Sequence, residues 1–346
     1  MSGRGAIGTG AAPARLPRPG LPPELQLFPM RAGAADAHFL VFRSDPGTYE
    51  RWLMSHGQLT DIARLAIALL RGRGTLIDVG ANIGVIAVPV ARSGSRVIAV
   101  EPEPRNCLQL HHAALANRLG NLRIHACAAT ATDGVVHLQG GEQWGHIAAD
   151  GQAVLGLRLD SLLSLPGMLE TDATGPDLLI KIDVEGHEPE VLAGAAALIA
   201  AARPDIIFES IEVEGDTDAR SGRAKAWLEH AGYRLLLLRG RVLVPRSAVD
   251  AQEGHVCDYL AVPREREVGL AADGFAVRAL TEAERDTWIA EMAAEDSASH
   301  RRHAAGVIAR LAREHGRLPP RLQEVAVRLA ADREAAVAEP ARIALG

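Results

Sequence analysis

A charged stretch directly follows a run of apolar residues near the middle of the chain. The segment LLIKIDVEGHEPEVL (178–192) begins like a buried strand and ends like the first turn of a helix, with one lysine, four carboxylates and one histidine within ten residues. Side chains alternate along a strand, so Lys181, Asp183 and Glu185 are expected on one face. Imidazole titrates near neutral pH and can accept a proton. We therefore predict His187 as a general base, with Asp183, Glu185 and Lys181 in the same catalytic group.

A purely structural explanation of these charges competes with that prediction. Lys181 and Asp183 would form an internal ion pair, and Glu188 and Pro189 suit the first turn of a helix. This explanation does not account for the histidine beside several carboxylates at a strand end. Glu209 closes a later strand, DIIFES, and is expected to assist them. A divalent metal on these oxygens is a further alternative, but the ligand set is small, so we predict no metal.

A glycine-containing turn follows the first predicted strand. The sequence DVGANIG places Asp78, Gly80, Asn82 and Gly84 at every second position. Small residues there let the backbone turn sharply beside a ligand at a helix N-terminus, and Asn tolerates the positive φ that such turns need. The spacing differs from the G-x-G-x-x-G of dinucleotide-binding turns. It is similar to the acid-x-G-x-G-x-G motif of proteins that use S-adenosyl-L-methionine (SAM), and a nicotinamide dehydrogenase is therefore a distant alternative.

A second acid follows the second predicted strand. Glu101 ends the segment RVIAVE and lies 21 residues after Gly80. A carboxylate at this position can accept both hydrogen bonds of a ribose diol. The turn and the acid together favour a nucleoside-type ligand.

The elements around these motifs alternate between apolar strands and helices. Such alternation predicts a parallel, doubly wound α/β sheet, whose ligands bind at the carboxyl ends of the strands. Residues 133–158 are expected to form hairpins or loops with little helix. The predicted strands are TLIDVG, RVIAVEPEP, NLRIHACA, DLLIKIDV, DIIFES, YRLLLLRG and HVCDYLAV, and the main predicted helices cover 84–92, 105–119, 188–202 and 223–231.

Residues 45–215 resemble the FkbM-type methyltransferase family. The resemblance rests on LIDVGANIGV, VIAVEPEPRN, LRLDSLL and DLLIKIDVEGHEPEVLAGA with RPDIIFES, and DPGTYERWL (45–53) is similar to a segment that precedes the first motif in that family. It implies a class I SAM-methyltransferase (Rossmann-like) fold, SAM as the cofactor, and O-methylation of a hydroxyl on a sugar or secondary metabolite. Relatives commonly place an acid after the third strand to meet the adenine amine. Here Ala131 stands there, and Asp133 is the expected replacement.

Composition divides the chain into three regions. Residues 1–36 are rich in Gly, Ala and Pro and predict a flexible arm. Residues 37–263 form the predicted SAM-dependent domain, whose sheet is expected to be complete at YLAV. Residues 264–346 predict a helical extension, with a capping box at Thr281 and Glu284. We expect a homo-oligomer through these C-terminal helices.

Charge and hydropathy exclude several classes of partner. The net charge of −6 argues against nucleic acid, because no basic surplus neutralises phosphates. The longest small-apolar run, 193–202, is too short to cross a membrane. The three cysteines are expected to be thiols in a reducing compartment. We predict a cytoplasmic bacterial enzyme acting on a small hydroxyl-bearing molecule. A catalytically idle SAM-binding scaffold, whose helical tail binds a partner protein, is the alternative.

Overall fold

A computed structural model describes residues 25–32, 35–42, 59–139, 146–168, 175–210, 220–246, 257–266, 269–294 and 298–346. The strands are β1 (Leu25–Ala32), β2 (Ala35–Phe42), β3 (Thr75–Val79), β4 (Arg96–Val100), β5 (Leu122–His125), β6 (Ala128–Ala129), β7 (Gly134–Gln139), β8 (His146–Ala148), β9 (Gln152–Leu157), β10 (Leu178–Ile182), β11 (Asp205–Ser210), β12 (Tyr233–Arg239), β13 (Val242–Pro245), β14 (Cys257–Pro263) and β15 (Ala276–Val277). The α-helices are α1 (Asp61–Leu70), α2 (Ala87–Arg92), α3 (Pro104–Ala116), α4 (Leu159–Leu163), α5 (Glu188–Gly194), α6 (Ala196–Ala202), α7 (Arg220–His230), α8 (Glu282–Met292), α9 (Ala298–His315), α10 (Pro320–Ala330) and α11 (Ala335–Leu345).

The main sheet confirms the predicted fold class. Its strand order is β15-β13-β12-β14-β11-β10-β3-β4-β5. Strands β5, β4, β3, β10 and β11 run parallel, and β14 is antiparallel to both β11 and β12. The chain builds the sheet outwards from β3 to β5 and then returns to the other side of β3 with β10. The topological switch point therefore lies between β3 and β10, at whose carboxyl ends the predicted motifs meet.

Two apolar clusters cover the two faces of this sheet. On one face, Leu76, Leu179 and Ile207 pack in a cluster that includes residues of α1, α2 and α3. On the other face, Ile77 and Ile180 pack in a cluster that includes residues of α4 to α7. Neighbouring residues of one strand thus face opposite layers, so both faces of the central strands are apolar.

The region after β5 forms a separate small sheet. Its strand order is β6-β9-β7-β8, and β7 pairs antiparallel with both neighbours. This agrees with the prediction of hairpins with little helix between residues 133 and 158.

Three predicted boundaries differ from the structure. The hairpin β1–β2 begins inside the 1–36 region that composition assigns to a flexible arm. The helix predicted over 188–202 is two helices joined at Ala195; at the end of the first, Gly194 lies so close to Thr130 that a Cβ atom would stand 2.0 Å from the Thr130 carbonyl oxygen. The sheet is also not complete at residue 263, because β15 pairs with β13, and Leu270 and Phe275 are buried in the core beneath it.

The C-terminal helices α8 to α11 have an apolar core of their own. Ile289, Ile308, Leu322 and Val337 are buried in it. The predicted capping box is confirmed, since the Thr281 and Glu284 side chains and backbone N–H groups bond reciprocally. No helix among the described residues is long and apolar enough to cross a bilayer. Oligomerisation through these helices stays a prediction.

Candidate functional site

A cavity of about 360 Å³ opens at the carboxyl ends of β3, β4, β10 and β11. It combines the glycine-containing turn, the acid after β4 and the charged segment after β10. The residues that line it are Thr60, Ile62, Val79, Gly80, Ala81, Asn82, Val85, Ile86, Val100, Glu101, Pro102, Glu103, Asn106, Ala128, Ala129, Leu138, Ile147, Lys181, Asp183, Val184, Glu185 and Glu209. The glycine-containing turn, Glu101, the charged segment and Glu209, which together span more than 100 residues of sequence, therefore share one site.

The turn after β3 has the backbone geometry that its sequence predicts. Gly80, Asn82 and Gly84 have φ angles of 73°, 51° and 94°. A Cβ atom on Gly80 would stand 1.8 Å from the carbonyl oxygen of Asp183, so no other residue fits there without moving the backbone that follows β10. Asn82 stabilises its own left-handed conformation, because its Oδ1 accepts a hydrogen bond of 2.7 Å from the N–H of Ile83.

Glu101 is anchored at the cavity wall by neighbouring donors. It is 5% exposed. Its Oε2 accepts a hydrogen bond of 2.7 Å from the N–H of Asn82, and its Oε1 accepts one of 2.9 Å from the N–H of Glu103. Burial raises the pKa of Glu101, and the Glu103 and Asn82 N–H groups oppose that rise. A carboxylate held in this way can accept further hydrogen bonds from a ribose diol.

A buried lysine connects the two acidic motifs. Lys181 and Asp78 are directly opposite each other in the parallel register of β10 and β3. The Nζ of Lys181 lies 3.3 Å from Asp78 Oδ1, 3.3 Å from Asp183 Oδ2, and donates a hydrogen bond of 2.9 Å to the carbonyl of Gly80. Burial opposes the charge of Lys181, but Asp183 and Asp78 outweigh it and raise the lysine pKa. Asp78 therefore stabilises the turn through Lys181 and does not line the cavity.

Three carboxylates that line the cavity converge on one another. One oxygen each from Asp183, Glu185 and Glu209 lies within 4.8 Å of the others. Burial and the charges of Asp183 and Asp258 raise the pKa of Glu209 far above its ordinary value, and its Oε2 is buried without a hydrogen-bond partner among the described residues. Burial and the charge of Asp183 also raise the pKa of Glu185. Acids with raised pKa values at a cavity are suited to proton transfer near neutral pH.

Glu185 has a strained backbone. Its φ angle is 55°, and that of Gly186 is 91°. Strand β10 ends at Ile182, and these two left-handed residues end the alternation of side chains that follows from it. The fold thus keeps a glutamate in a backbone conformation that glycine adopts at a lower cost in free energy. Such outliers cluster at functional sites.

The same turn carries His187 away from the cavity. His187 does not line it, and its Nδ1 lies 3.6 Å from Glu190 Oε2 at the start of α5. Glu188 accepts hydrogen bonds from the N–H groups of Val184 and Gly186. The structural explanation, an ion pair at Lys181 and capping at Glu188, therefore accounts for part of the segment, while Asp183 and Glu185 remain in the cavity.

Asp133 does not reach the cavity, contrary to the prediction. The small sheet places it beside Arg158, where it accepts a hydrogen bond of 2.7 Å from the Arg158 N–H and one of 2.7 Å from the Ser161 hydroxyl. These donors hold the pKa of Asp133 below its ordinary value. Asp133 thus links the start of β7 to the beginning of α4.

Several cavity residues were not predicted from the sequence. Leu138 and Ile147 are directly opposite each other on β7 and β8 and close the apolar end of the cavity. Asn106 belongs to the first turns of α3. Its position five residues after Glu101 is the sequence feature from which its place in the cavity could have been predicted. The segment 45–53, which resembles part of the FkbM-type family, lies outside the described residues.

Comparisons with known proteins agree with the resemblance seen in the sequence. A family model described as the methyltransferase FkbM domain matches residues 78–235. The chain is similar to a methyltransferase FkbM structure from Methylobacillus flagellatus KT, with 18% identity, a TM-score of 0.37, and coverage of 55% of this chain and 44% of that chain. It thus spans less than half of that relative.

Two further structures have a comparable likeness. Cofactor-bound Rv0187 from MTB has 18% identity and a TM-score of 0.37, with coverage of 60% of this chain and 79% of that chain. Precorrin-6y C5,15-methyltransferase from Geobacter metallireducens GS-15 has 15% identity and a TM-score of 0.33, with coverage of 58% and 87%. Curated protein sequences gave no match.

Proposed function

We propose that this chain, whose residues 78–235 match a family model described as the methyltransferase FkbM domain, transfers a methyl group from SAM to a hydroxyl of a small acceptor such as a sugar or secondary metabolite. The observation that carries the proposal is the convergence of the turn at Gly80, the anchored Glu101 and three carboxylates on one cavity. The O-methyl specificity and the acceptor class come from the family resemblance.

The residues at one end of the cavity fit an adenosyl group. Glu101 would accept a hydrogen bond from the ribose diol, and the backbone at Gly80 to Asn82 would approach the ligand closely. Leu138 and Ile147 offer an apolar contact to the purine ring. When bound, SAM supplies an activated methyl group, so the protein has only to align the acceptor and accept its proton.

We assign the proton acceptor to Glu185 instead of His187, because Glu185 lines the cavity and His187 does not. No hydrogen bond or ion pair to the Glu185 carboxylate occurs among the described residues. Its raised pKa makes it a stronger base than an ordinary glutamate. Asp183, fixed by Lys181, would orient the acceptor hydroxyl, and Glu209 would keep its own proton near neutral pH and donate it in a hydrogen bond.

The binding half of the proposal is tested by thermal unfolding with S-adenosylhomocysteine (SAH), the demethylated product. A ligand at a hundredfold excess over its Kd adds about 2.7 kcal/mol to the unfolding free energy. For a domain of this size the expected rise in Tm is about 5–10 °C. The same concentration of NAD is the control. An equal shift with NAD, or none with SAH, contradicts the cofactor assignment.

The catalytic half is tested by SAH release from SAM with a panel of sugars and hydroxylated metabolites. The expected result is release that depends on one acceptor class and disappears in Glu185→Gln, while SAH binding persists. Binding without release for any acceptor would favour the scaffold alternative.

A further inference from the structure

Asn106 has a buried acceptor atom that the protein itself does not use. The side chain is 3% exposed and lines the cavity from α3. Its Oδ1 is buried and has no hydrogen-bond partner among the described residues. Buried acceptors are almost always paired in native proteins, because an unmade hydrogen bond leaves the cost of desolvation unpaid. A ligand in the cavity is the available source of the missing donor.

The orientation of the Asn106 amide is fixed by Glu101. Asn106 Nδ2 lies 3.4 Å from Glu101 Oε1, and only the amino end of the amide can donate to a carboxylate. The opposite atom, Oδ1, is therefore the free acceptor. Because the two ends of one amide are close together, this acceptor lies next to the carboxylate that we assign to the ribose diol.

We propose that Asn106 Oδ1 accepts a hydrogen bond from one ribose hydroxyl of the bound adenosyl ligand. This inference rests on the proposed function. The donors nearest to Glu101 in such a ligand are the 2′ and 3′ hydroxyls, whereas the adenine amine is at the far end of the nucleoside. Each ribose hydroxyl has a single hydrogen to donate, so Asn106 and Glu101 then form a two-residue clamp in which the amide oxygen accepts from one hydroxyl and the carboxylate accepts from the other.

Isothermal titration of SAH and its 2′-deoxy and 3′-deoxy analogues tests the clamp. The variants are Asn106→Leu, which is similar in size and apolar, and Gln109→Leu as a matched control. Gln109 is 1% exposed on the same helix and its Oε1 also has no partner among the described residues, but it does not line the cavity. Thermal unfolding without ligand shows that each variant folds, and Asn106→Ala replaces Asn106→Leu if the latter does not.

The expected result is a loss of SAH affinity of about tenfold in the Asn106 variant and none in the Gln109 variant. One deoxy analogue should bind the wild-type chain about tenfold more weakly than SAH does. The same analogue should bind the Asn106 variant no more weakly than SAH binds that variant. Coupling of equal size to both hydroxyls overturns the inference, since Asn106 would then act only by orienting Glu101. Unchanged SAH affinity in the Asn106 variant also overturns it. Absence of SAH binding to the wild-type chain contradicts the proposed function instead.

Discussion

Replacing Glu185 with glycine should stabilise the protein and abolish methyl transfer. Glu185 has a φ angle of 55°, and a left-handed backbone costs a non-glycine residue about 1–2 kcal/mol. Glycine avoids this cost, but the greater conformational freedom that it gives the unfolded chain lowers the unfolding free energy by about 0.5–1 kcal/mol. The backbone change alone is therefore worth about 0.5–1 kcal/mol. Removal of a partly buried carboxylate near Asp183 and Glu188 adds to it.

Arg118→Gly isolates the backbone contribution. Arg118 has a φ angle of 56° at the end of α3 and is exposed, so its replacement relieves the same strain without removing a buried charge. We expect Arg118→Gly to add about 0.5–1 kcal/mol to the unfolding free energy and Glu185→Gly to add about 1–2 kcal/mol. For Glu185→Gly the corresponding rise in Tm is about 3–6 °C. Urea unfolding followed by circular dichroism measures both variants.

The functional measurement uses the same two variants. Both should bind SAH with the affinity of the wild-type chain, because Glu185 lies at the acceptor end of the cavity. Glu185→Gly should not support SAH release with an acceptor that the wild-type chain methylates, and Arg118→Gly should. Lower stability of Glu185→Gly than of the wild type would refute the argument from strain, and full activity would refute the assignment of the base.

Three further outcomes follow from the structure. Burial, followed by the charges of Arg239 and Arg310, lowers the pKa of His303 to about 4, below its ordinary 6.5. The unfolded chain therefore binds a proton at this histidine more readily than the folded chain does. The folded state keeps its full stability above pH 6.5 and loses stability as the pH falls towards 4. Between pH 7 and 5 the wild-type chain should lose about 2 kcal/mol more than His303→Leu in urea unfolding, and equal slopes would contradict this. Lys181→Met should lower the unfolding free energy by about 3–5 kcal/mol, because it leaves two carboxylates without their cation, and a change below about 1 kcal/mol would show that the ion pairs are dispensable. A chain that ends after Leu280 should fold and bind SAH. A chain that ends after Glu265 should aggregate or unfold, because it lacks β15 and buried core residues. Equal thermal unfolding of the two chains by circular dichroism would disprove the corrected boundary.

The sequence alone determined the features that depend on local backbone chemistry. Alternating apolar runs and helices predicted the α/β sheet, since the period of a strand or helix is written in consecutive residues. The positive φ of Asn82 and the place of Glu101 after the second strand followed from the turn chemistry and strand order. The capping box at Thr281 involves residues three positions apart, and it was also predictable.

Tertiary structure alone decided which of these residues meet. Lys181 and Asp78 are neighbours because β10 and β3 pair in one particular parallel register, and nothing within either strand sets that register. His187 does not line the cavity, because the chain turns at the left-handed pair Glu185 and Gly186 before α5 begins. Asp133 lies beside Arg158 and not at the cavity, because the pairing of β7 with β9 brings the two residues together. Such outcomes depend on long-range packing, in which each residue's neighbours are chosen by the whole fold and not by the residues beside it in the chain.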